Sequence, residues 1–550
     1  MNQAVYEGVT DESVSAEYEL FHSADTDSSA DQESAVIRNV FDHPSILLRL
    51  LSVTPSLIGK WKPWFCAAAT VLACQVSPAS GGEARWPQFR GPGGSGLGAT
   101  DFPTHFGPGS NVVWKTALPS GHSSPCIWGG RIFLTGFADG KLETICLDRN
   151  DGRVLWRCHV EPGNIERGAQ LSHPATATPT TDGERVCVYF GAFGLACYGF
   201  DGTELWRKPL PVPVTYHGAG TSPVLAGELL ILNGDQDDGS SLLAVNKRDG
   251  QTVWKTERSG FRRGFATPLL WPPDAPAQVV VPGTLRLVSY SLRDGGELWS
   301  VRGFPNEMVA SPVAGDGLIF MAGWTHGSGV SRMPDFDKLL ALGDANHDGK
   351  LTRDEAPAGP AKQHHHYIDS DKDGRVTREE YAVIARIFDE SKNIALAVRP
   401  DGRGDVTDTH VVWKVTRGLP YVPSPLYYEG RVYLLKNGGL ASCLDARMGR
   451  FLYQEERLGA LGDYYASPVA AAGKICVASQ PGVVVVYRAG DTLEVLARNT
   501  LDELVIATPA IADGRLYVRT KSQLYAFGLA EKSSGHNGNS SQNPATRVTP

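Results

Sequence analysis

The chain has 550 residues, of which 42% are hydrophobic and 61 are glycine, with a formal net charge of −8. That length and apolar fraction suit a large folded core rich in turns. The acidity is local. Residues 1–37 hold nine acidic and no Lys or Arg side chains, so the body from residue 85 is close to neutral, which excludes the basic footprint of nucleic-acid binding.

Residues 1–59 are acidic and polar, with too little apolar surface to offset the entropy of ordering, and are expected to be disordered. In the segment 60–84, Lys60 and Lys62 precede an apolar run over 63–76, and Ser77-Pro78-Ala79 offers small residues for cleavage. This is the layout of a secretory signal, and the run is short of the roughly 20 residues of a membrane span. A short buried helix or a membrane-associated stretch is the alternative. "VLAC", ending at Cys74, resembles a bacterial lipoprotein box. Because signals belong at the start of a chain, a true start near residue 50 is expected. These features predict an exported protein (periplasm, cell envelope or secreted) that touches membrane only through its signal or a lipid anchor at Cys74.

Seven cysteines follow: Cys126, Cys146, Cys158, Cys187, Cys197, Cys443 and Cys476. They form no CxxC, CxxCH or adjacent pair, which argues against zinc ribbons and covalently attached haem. Most sit in apolar β-like runs and read as small core residues. Cys187 and Cys197 flank "GAFG" in a predicted hairpin and could pair across it.

From residue 85 to 530 a repeat organises the chain. Ser or Thr followed by Pro recurs with its proline at 125, 179, 223, 268, 312, 425, 468 and 509. Seven spacings lie between these marks, and all but one run from 41 to 54 residues; the exception, between Pro312 and Pro425, is 113. After each mark comes a turn and a β-branched run such as "RIFLTGF" or "RVCVYFG". Most copies continue through an Asp-Gly-type turn to an aromatic residue, as in "CLDRNDGRVLW" at Trp156 and "AVNKRDGQTVW" at Trp254. Short strands repeated at this period predict the four-stranded blades of a β-propeller. Eight marks predict eight blades, with the Trp wedged between neighbours. The last copy stops before its Trp strand, while an orphan "NVVWKTA" around Trp114 precedes the first. Pairing of 111–117 with 522–528 would close the ring and remove two sheet edges. The polar tail 531–550 is expected to be disordered.

The pattern A-x-D-x-x-x-G-x-x-x-W resembles the tryptophan-docking repeat of quinoprotein (pyrroloquinoline quinone, PQQ) dehydrogenase-like propellers, over roughly residues 86–530. "WPQFRGPGGSGLG" is similar to the opening segment of a secreted bacterial subgroup of that superfamily. The superfamily includes quinone-dependent dehydrogenases and also the quinone-free propeller lipoprotein of the outer-membrane β-barrel assembly machinery.

The long interval exceeds a normal repeat by about 69 residues, and two copies of D-x-[DN]-x-[DN]-G-x5-E fall inside it. A small helical EF-hand pair, 333–392, is therefore predicted as an insertion in the fifth blade of an all-β protein. Loop one would ligate Ca²⁺ through Asp344, Asn346, Asp348, Lys350 (carbonyl), Thr352 (through water) and the clamp Glu355. Loop two would use Asp369, Asp371, Asp373, Arg375 (carbonyl), Thr377 and Glu380. A hard dication needs six or seven oxygens, which this alternation supplies, and Gly349 and Gly374 occupy the sharp turn. Leu351 and Val376 are placed to form a bridge between the loops. Flanking helices are expected around Phe336, Leu339 and Leu340 and around Tyr381, Ile384 and Phe388. The run His364–His366 reads as a solvated helix face rather than a transition-metal site.

Ligands of propellers usually sit at one end of the axis. The loops before each Ser/Thr-Pro mark carry His122, His173, Tyr216, His217, Arg262, Arg263, Asn306, Glu307, Tyr421, Asp463 and Tyr464, a candidate ring around a funnel. Six of these (His122, His173, His217, Arg262, Arg263 and Glu307) are expected to converge. Two functions follow: a calcium-binding scaffold for an envelope or secreted protein or a small polar ligand, or a PQQ-dependent alcohol or sugar dehydrogenase with a top-face quinone. The resemblance implies an adjacent-cysteine disulfide beside a quinone. This chain has none, and the scaffold is favoured.

Overall fold

Strand-forming residues follow every Ser/Thr-Pro mark, and in the computed structural model they build eight four-stranded antiparallel blades. The structure describes residues 84–165, 172–215, 217–326 and 333–529. The acidic extension, Cys74, all but the last residue of the signal-like segment and the tail from 531 lie outside them. Among the described residues no helix is long and apolar enough to cross a membrane.

Blade 1 shows the pattern. A short inner strand, Cys126–Trp128, leads through a Gly-Gly turn to Arg131–Ala138, Lys141–Asp148 and the outer strand Val154–Val160. The two middle strands are buried along nearly their whole length because a neighbouring blade covers each face. The outer strand alternates instead, with one face to solvent.

Two devices join the blades. The first is the Trp of the outer strand. Trp206 Nε1 donates to Lys247 O at 2.9 Å, and Trp413 Nε1 donates to Ala446 O at 2.8 Å. Each ring lies on the turn glycine of the next blade, where a Cβ would come within 2.6 Å (Gly250) or 2.5 Å (Gly449) of the indole. Both glycines also adopt positive φ, 71° and 68°, so the position is closed to other residues twice over. The second device is the Ser/Thr preceding each proline, which hydrogen-bonds across blades.

Closure follows the expected pairing. Val112–Ala117 runs antiparallel to Gln523–Gly528, with Trp114 opposite Ala526, and completes blade 8. The segment before it fills the central channel. Arg85–Trp86 adds a strand inside blade 1, Thr181 N donates to Pro87 O in blade 2, and Arg90 Nη2 donates to Pro425 O in blade 6. Leu97 bridges to Ala470 in blade 7, and Gly514 N donates to Thr100 Oγ1 in blade 8. Trp86 and Arg90 are fully buried there. The plug enters beside Gly129, at the end of the ring away from the Ser/Thr-Pro loops.

In blade 5, Leu318–Gly323 pairs directly with Ile394–Val398, so the intervening chain replaces one hairpin turn. That turn lies at the Ser/Thr-Pro end. Its helices Phe336–Gly343 and Arg378–Glu390 close a separate small core of Phe336, Leu339, Leu351, Tyr367, Ile368, Val376, Tyr381, Ile384 and Ile387. Leu285 of blade 4 packs against this core.

Candidate functional site

The two acidic loops of the insertion share one backbone. Their fourth and sixth residues take positive φ in both: His347 (59°) and Gly349 (76°), Lys372 (62°) and Gly374 (84°). The first carboxylates accept from the backbone of the sixth residue, Gly349 N to Asp344 Oδ2 at 2.9 Å and Gly374 N to Asp369 Oδ2 at 3.0 Å. Inward-facing carboxylates result. Asp369, Asp371 and Asp373 each bring an oxygen within 4.8 Å of the others, and the buried Asp369 Oδ1 has no hydrogen-bond partner.

The last acid of each loop is held open by donors. Glu355 accepts from Thr352 Oγ1 (2.8 Å) and Asn346 Nδ2 (3.1 Å), and Glu380 from Thr377 Oγ1 (2.9 Å) and Ser370 N (2.8 Å). Burial opposes the charge on Glu380, but the donors of Thr377 and Ser370 outweigh it and pull the carboxyl down to about 2. Leu351 and Val376 pair in a two-residue sheet joining the loops. Lys350 and Arg375 donate their N–H groups to Asp348 and Asp373. One expectation needs correction: His365 is not solvated but buried, with Nε2 2.9 Å from Leu351 O, because its helix packs against the bridge.

At the Ser/Thr-Pro end of the propeller, the eleven candidates divide into groups. His122 and His173 meet with ring centroids 4.8 Å apart. Arg263 binds Glu307 (3.0 Å), and His217 lies 3.8 Å from the same carboxylate. Ser172 Oγ donates to His217 O at 2.7 Å, so the two groups adjoin. Arg262 turns toward the insertion, donating to Asp237 O and to Tyr367 O. The six are gathered at one end as two adjoining groups, with Arg262 turned to the insertion, because each loop side chain finds its partner on the adjacent blade. Tyr421 packs against Trp324 and His326, and Asp463 Oδ2 accepts from Tyr465. Tyr464 and Asn306 face no funnel: Tyr464 is core, with its hydroxyl on Ala460 O, and the buried Asn306 is bound to Ser391. Tyr216 lies outside the described residues.

Sequence reading missed the acids that balance these arginines. Asp235 and Asp237 come from the turn "GDQDDG" of blade 3, whose composition signals only a turn. Asp235 forms a bidentate pair with Arg258 at 2.6 and 2.8 Å, both side chains fully buried, and Tyr290 OH joins them. Asp237 holds Arg263 at 2.8 Å. Burial works against the Arg263 charge, but Glu307 and Asp237 outweigh it and raise its pKa. Tyr367, two residues before loop two of the insertion, covers Arg263 with its ring, 4.2 Å from guanidinium carbon to centroid. The insertion, through Tyr367, and the Ser/Thr-Pro end of the propeller are therefore in direct contact.

A family model described as outer membrane protein assembly factor BamB matches residues 138–326. The fold is similar to a europium-containing methanol dehydrogenase (TM-score 0.52, 10% identity, 81% of this chain and 98% of that one). BamB from Moraxella catarrhalis gives TM-score 0.48 at 11% identity, covering 76% of this chain and 98% of its own. Quinohemoprotein alcohol dehydrogenase from Comamonas testosteroni gives 0.48 at 11%, covering 81% of each. No curated protein matches. The architecture is an eight-bladed β-propeller, and its residues 138–326 are similar to the BamB family model.

Among the described residues, those at this end do not fit a quinone. Asp235, Asp237 and Glu307 are committed to arginines. The cavity beside His122 and His173 is about 190 Å³, below the roughly 300 Å³ at which cofactor pockets begin.

Proposed function

We propose that this protein is an exported, calcium-binding propeller scaffold whose EF-hand pair sets the surface of its ligand-binding end. The observation that carries the reading is Asp369 Oδ1, buried and without a partner beside Asp371 and Asp373, in a loop whose backbone repeats that of 344–355. A carboxylate oxygen desolvated in this way is costly unless a cation approaches it. Ca²⁺ would be held by Asp369, Asp371, Asp373, Arg375 O, Thr377 and Glu380 in loop two, and by Asp344, Asn346, Asp348, Lys350 O, Thr352 and Glu355 in loop one. The ion supplies charge neutralisation and a fixed loop geometry. Through Ile368 and Tyr367 that geometry passes to Arg262 and Arg263. The plug in the axial channel leaves the Ser/Thr-Pro end as the face for an envelope or secreted partner or a small polar ligand, and the resemblance to BamB supports export.

Calcium titration calorimetry of the full chain tests the reading. Two sites are expected, with Glu380→Gln costing more affinity than Glu355→Gln because loop two carries four acidic ligands and loop one three. Absence of calcium heat in the wild-type chain sinks it.

A further inference from the structure

Arg519 ends the second strand of blade 8 and reaches into blade 1. Its Nη1 donates to Ser123 O (3.2 Å), Ser123 Oγ (2.7 Å) and Thr135 O (2.9 Å), and Nη2 to Pro119 O (3.1 Å). It is wholly buried, its Nε has no partner, and no carboxylate among the described residues pairs with it. The nearby Glu503 is occupied by Thr520 Oγ1 (2.6 Å) and Ser522 Oγ (2.7 Å). Carbonyls and one hydroxyl stabilise a guanidinium only in part, and a buried charge left without a counter-charge is strongly unfavourable. The contrast with Arg258 and Arg263, each neutralised by aspartate, is specific to this corner of the ring. Arg90 also lacks a carboxylate, but it belongs to the plug itself.

Beside Arg519 opens the cavity of about 190 Å³, lined by Ser120, His122, Ser172, His173, Thr520 and Lys521. Ser172 Oγ and Thr520 Oγ1 already donate to His217 O and Glu503, which leaves Ser120, His122, His173 and Lys521 as the donors, and none of the six is an acid. His173 Nδ1 accepts from Ala175 N at 3.0 Å, which leaves the ring proton on Nε2 as a donor. Lys521 is exposed and forms no ion pair among the described residues.

We infer that this cavity is an oxyanion subsite, taking the carboxylate or phosphate group of a small ligand between Lys521 and His173, with Arg519 supplying the fixed charge behind them. The inference rests on the ligand-binding reading of the scaffold and names the chemistry of one of its ligands. Its volume accommodates a compact anion.

The test is calorimetry of the full chain with sodium succinate and, separately, inorganic phosphate, at low ionic strength with calcium present. Saturable one-site binding of at least one is expected. Saturation by succinate alone assigns a carboxylate ligand, and by phosphate alone a phosphate ligand. Lys521→Glu and His173→Gln should each weaken binding at least tenfold with the calcium titration unchanged and, for the exposed Lys521, the melting temperature unchanged as well. Arg519→Gln should abolish binding; if it does not fold, the Lys521 and His173 variants decide. Absence of saturation by both anions, or binding indifferent to those two variants, overturns the subsite. A chain that binds calcium but neither anion loses this inference alone, whereas one that binds an anion but no calcium loses the calcium reading alone.

Discussion

The backbone N–H of Ser124 donates to Thr178 Oγ1 at 3.0 Å, across the boundary between blades 1 and 2. The same bond runs onward: Thr178 N to Ser222 Oγ, Ser222 N to Thr267 Oγ1, Thr267 N to Ser311 Oγ and Ser311 N to Ser424 Oγ. Ser424 N to Ser467 Oγ and Ser467 N to Thr508 Oγ1 complete it around to blade 8. Each hydroxyl satisfies a buried N–H of the blade before it, and the following proline brings no N–H of its own to satisfy.

Ser222→Ala should therefore destabilise the protein by about 1–3 kcal/mol, since it strands the Thr178 N–H in the core. Ser222→Thr should restore most of the loss. Urea unfolding of the two variants checks this, and equal stability of Ser222→Ala and wild type would contradict it.

Asp235→Asn should cost about 3–5 kcal/mol by leaving the Arg258 charge buried without its counter-charge. Replacing both residues by apolar side chains of similar volume should cost much less. Thermal melts of the single and double variants distinguish a needed ion pair from a needed shape.

Chelation of calcium should remove helical circular dichroism and leave the β-sheet spectrum. The insertion has its own small core, and Leu318–Gly323 pairs with Ile394–Val398 without it. Global unfolding on chelation would instead make the insertion part of what holds the ring.

Stability should fall on acidification below about pH 6.5. Burial, then the neighbouring His173 and Arg519 charges, depress His122 to about 3, and burial followed by Arg519 depresses His173 to about 4. Between those values and the usual 6.5 the unfolded chain binds protons that the folded chain refuses. Folding free energy is then lost by at most about 1.4 kcal/mol per pH unit per histidine. His122→Phe should flatten the acid limb of a melting-temperature profile; an unchanged limb would show that other groups dominate.

Cys187 and Cys197 stand directly opposite one another in the hairpin of blade 2 as free thiols. Such a register suits a disulfide. Peptide mapping without reductant of protein prepared in an oxidising medium should recover the two linked.

Periodic features were legible in the sequence because they rest on short-range rules. The Ser/Thr-Pro marks counted the blades, the glycine and tryptophan offsets set the inter-blade wedge, and the missing outer strand of blade 8 pointed to Trp114 as its completion. Both acidic loops were equally plain as a repeated turn, since twelve successive residues carry each motif. Partners brought together by the ring were not legible. Asp235 and Arg258 are 23 residues apart, Arg263 and Glu307 are 44, and Arg519 meets Ser123 across 396. Nothing local distinguishes a turn aspartate that faces water from one that neutralises a buried arginine. Only closure of the ring places blade 8 against blade 1, and so only the tertiary structure could show that Arg519 is buried there without a counter-charge beside a cavity of donors.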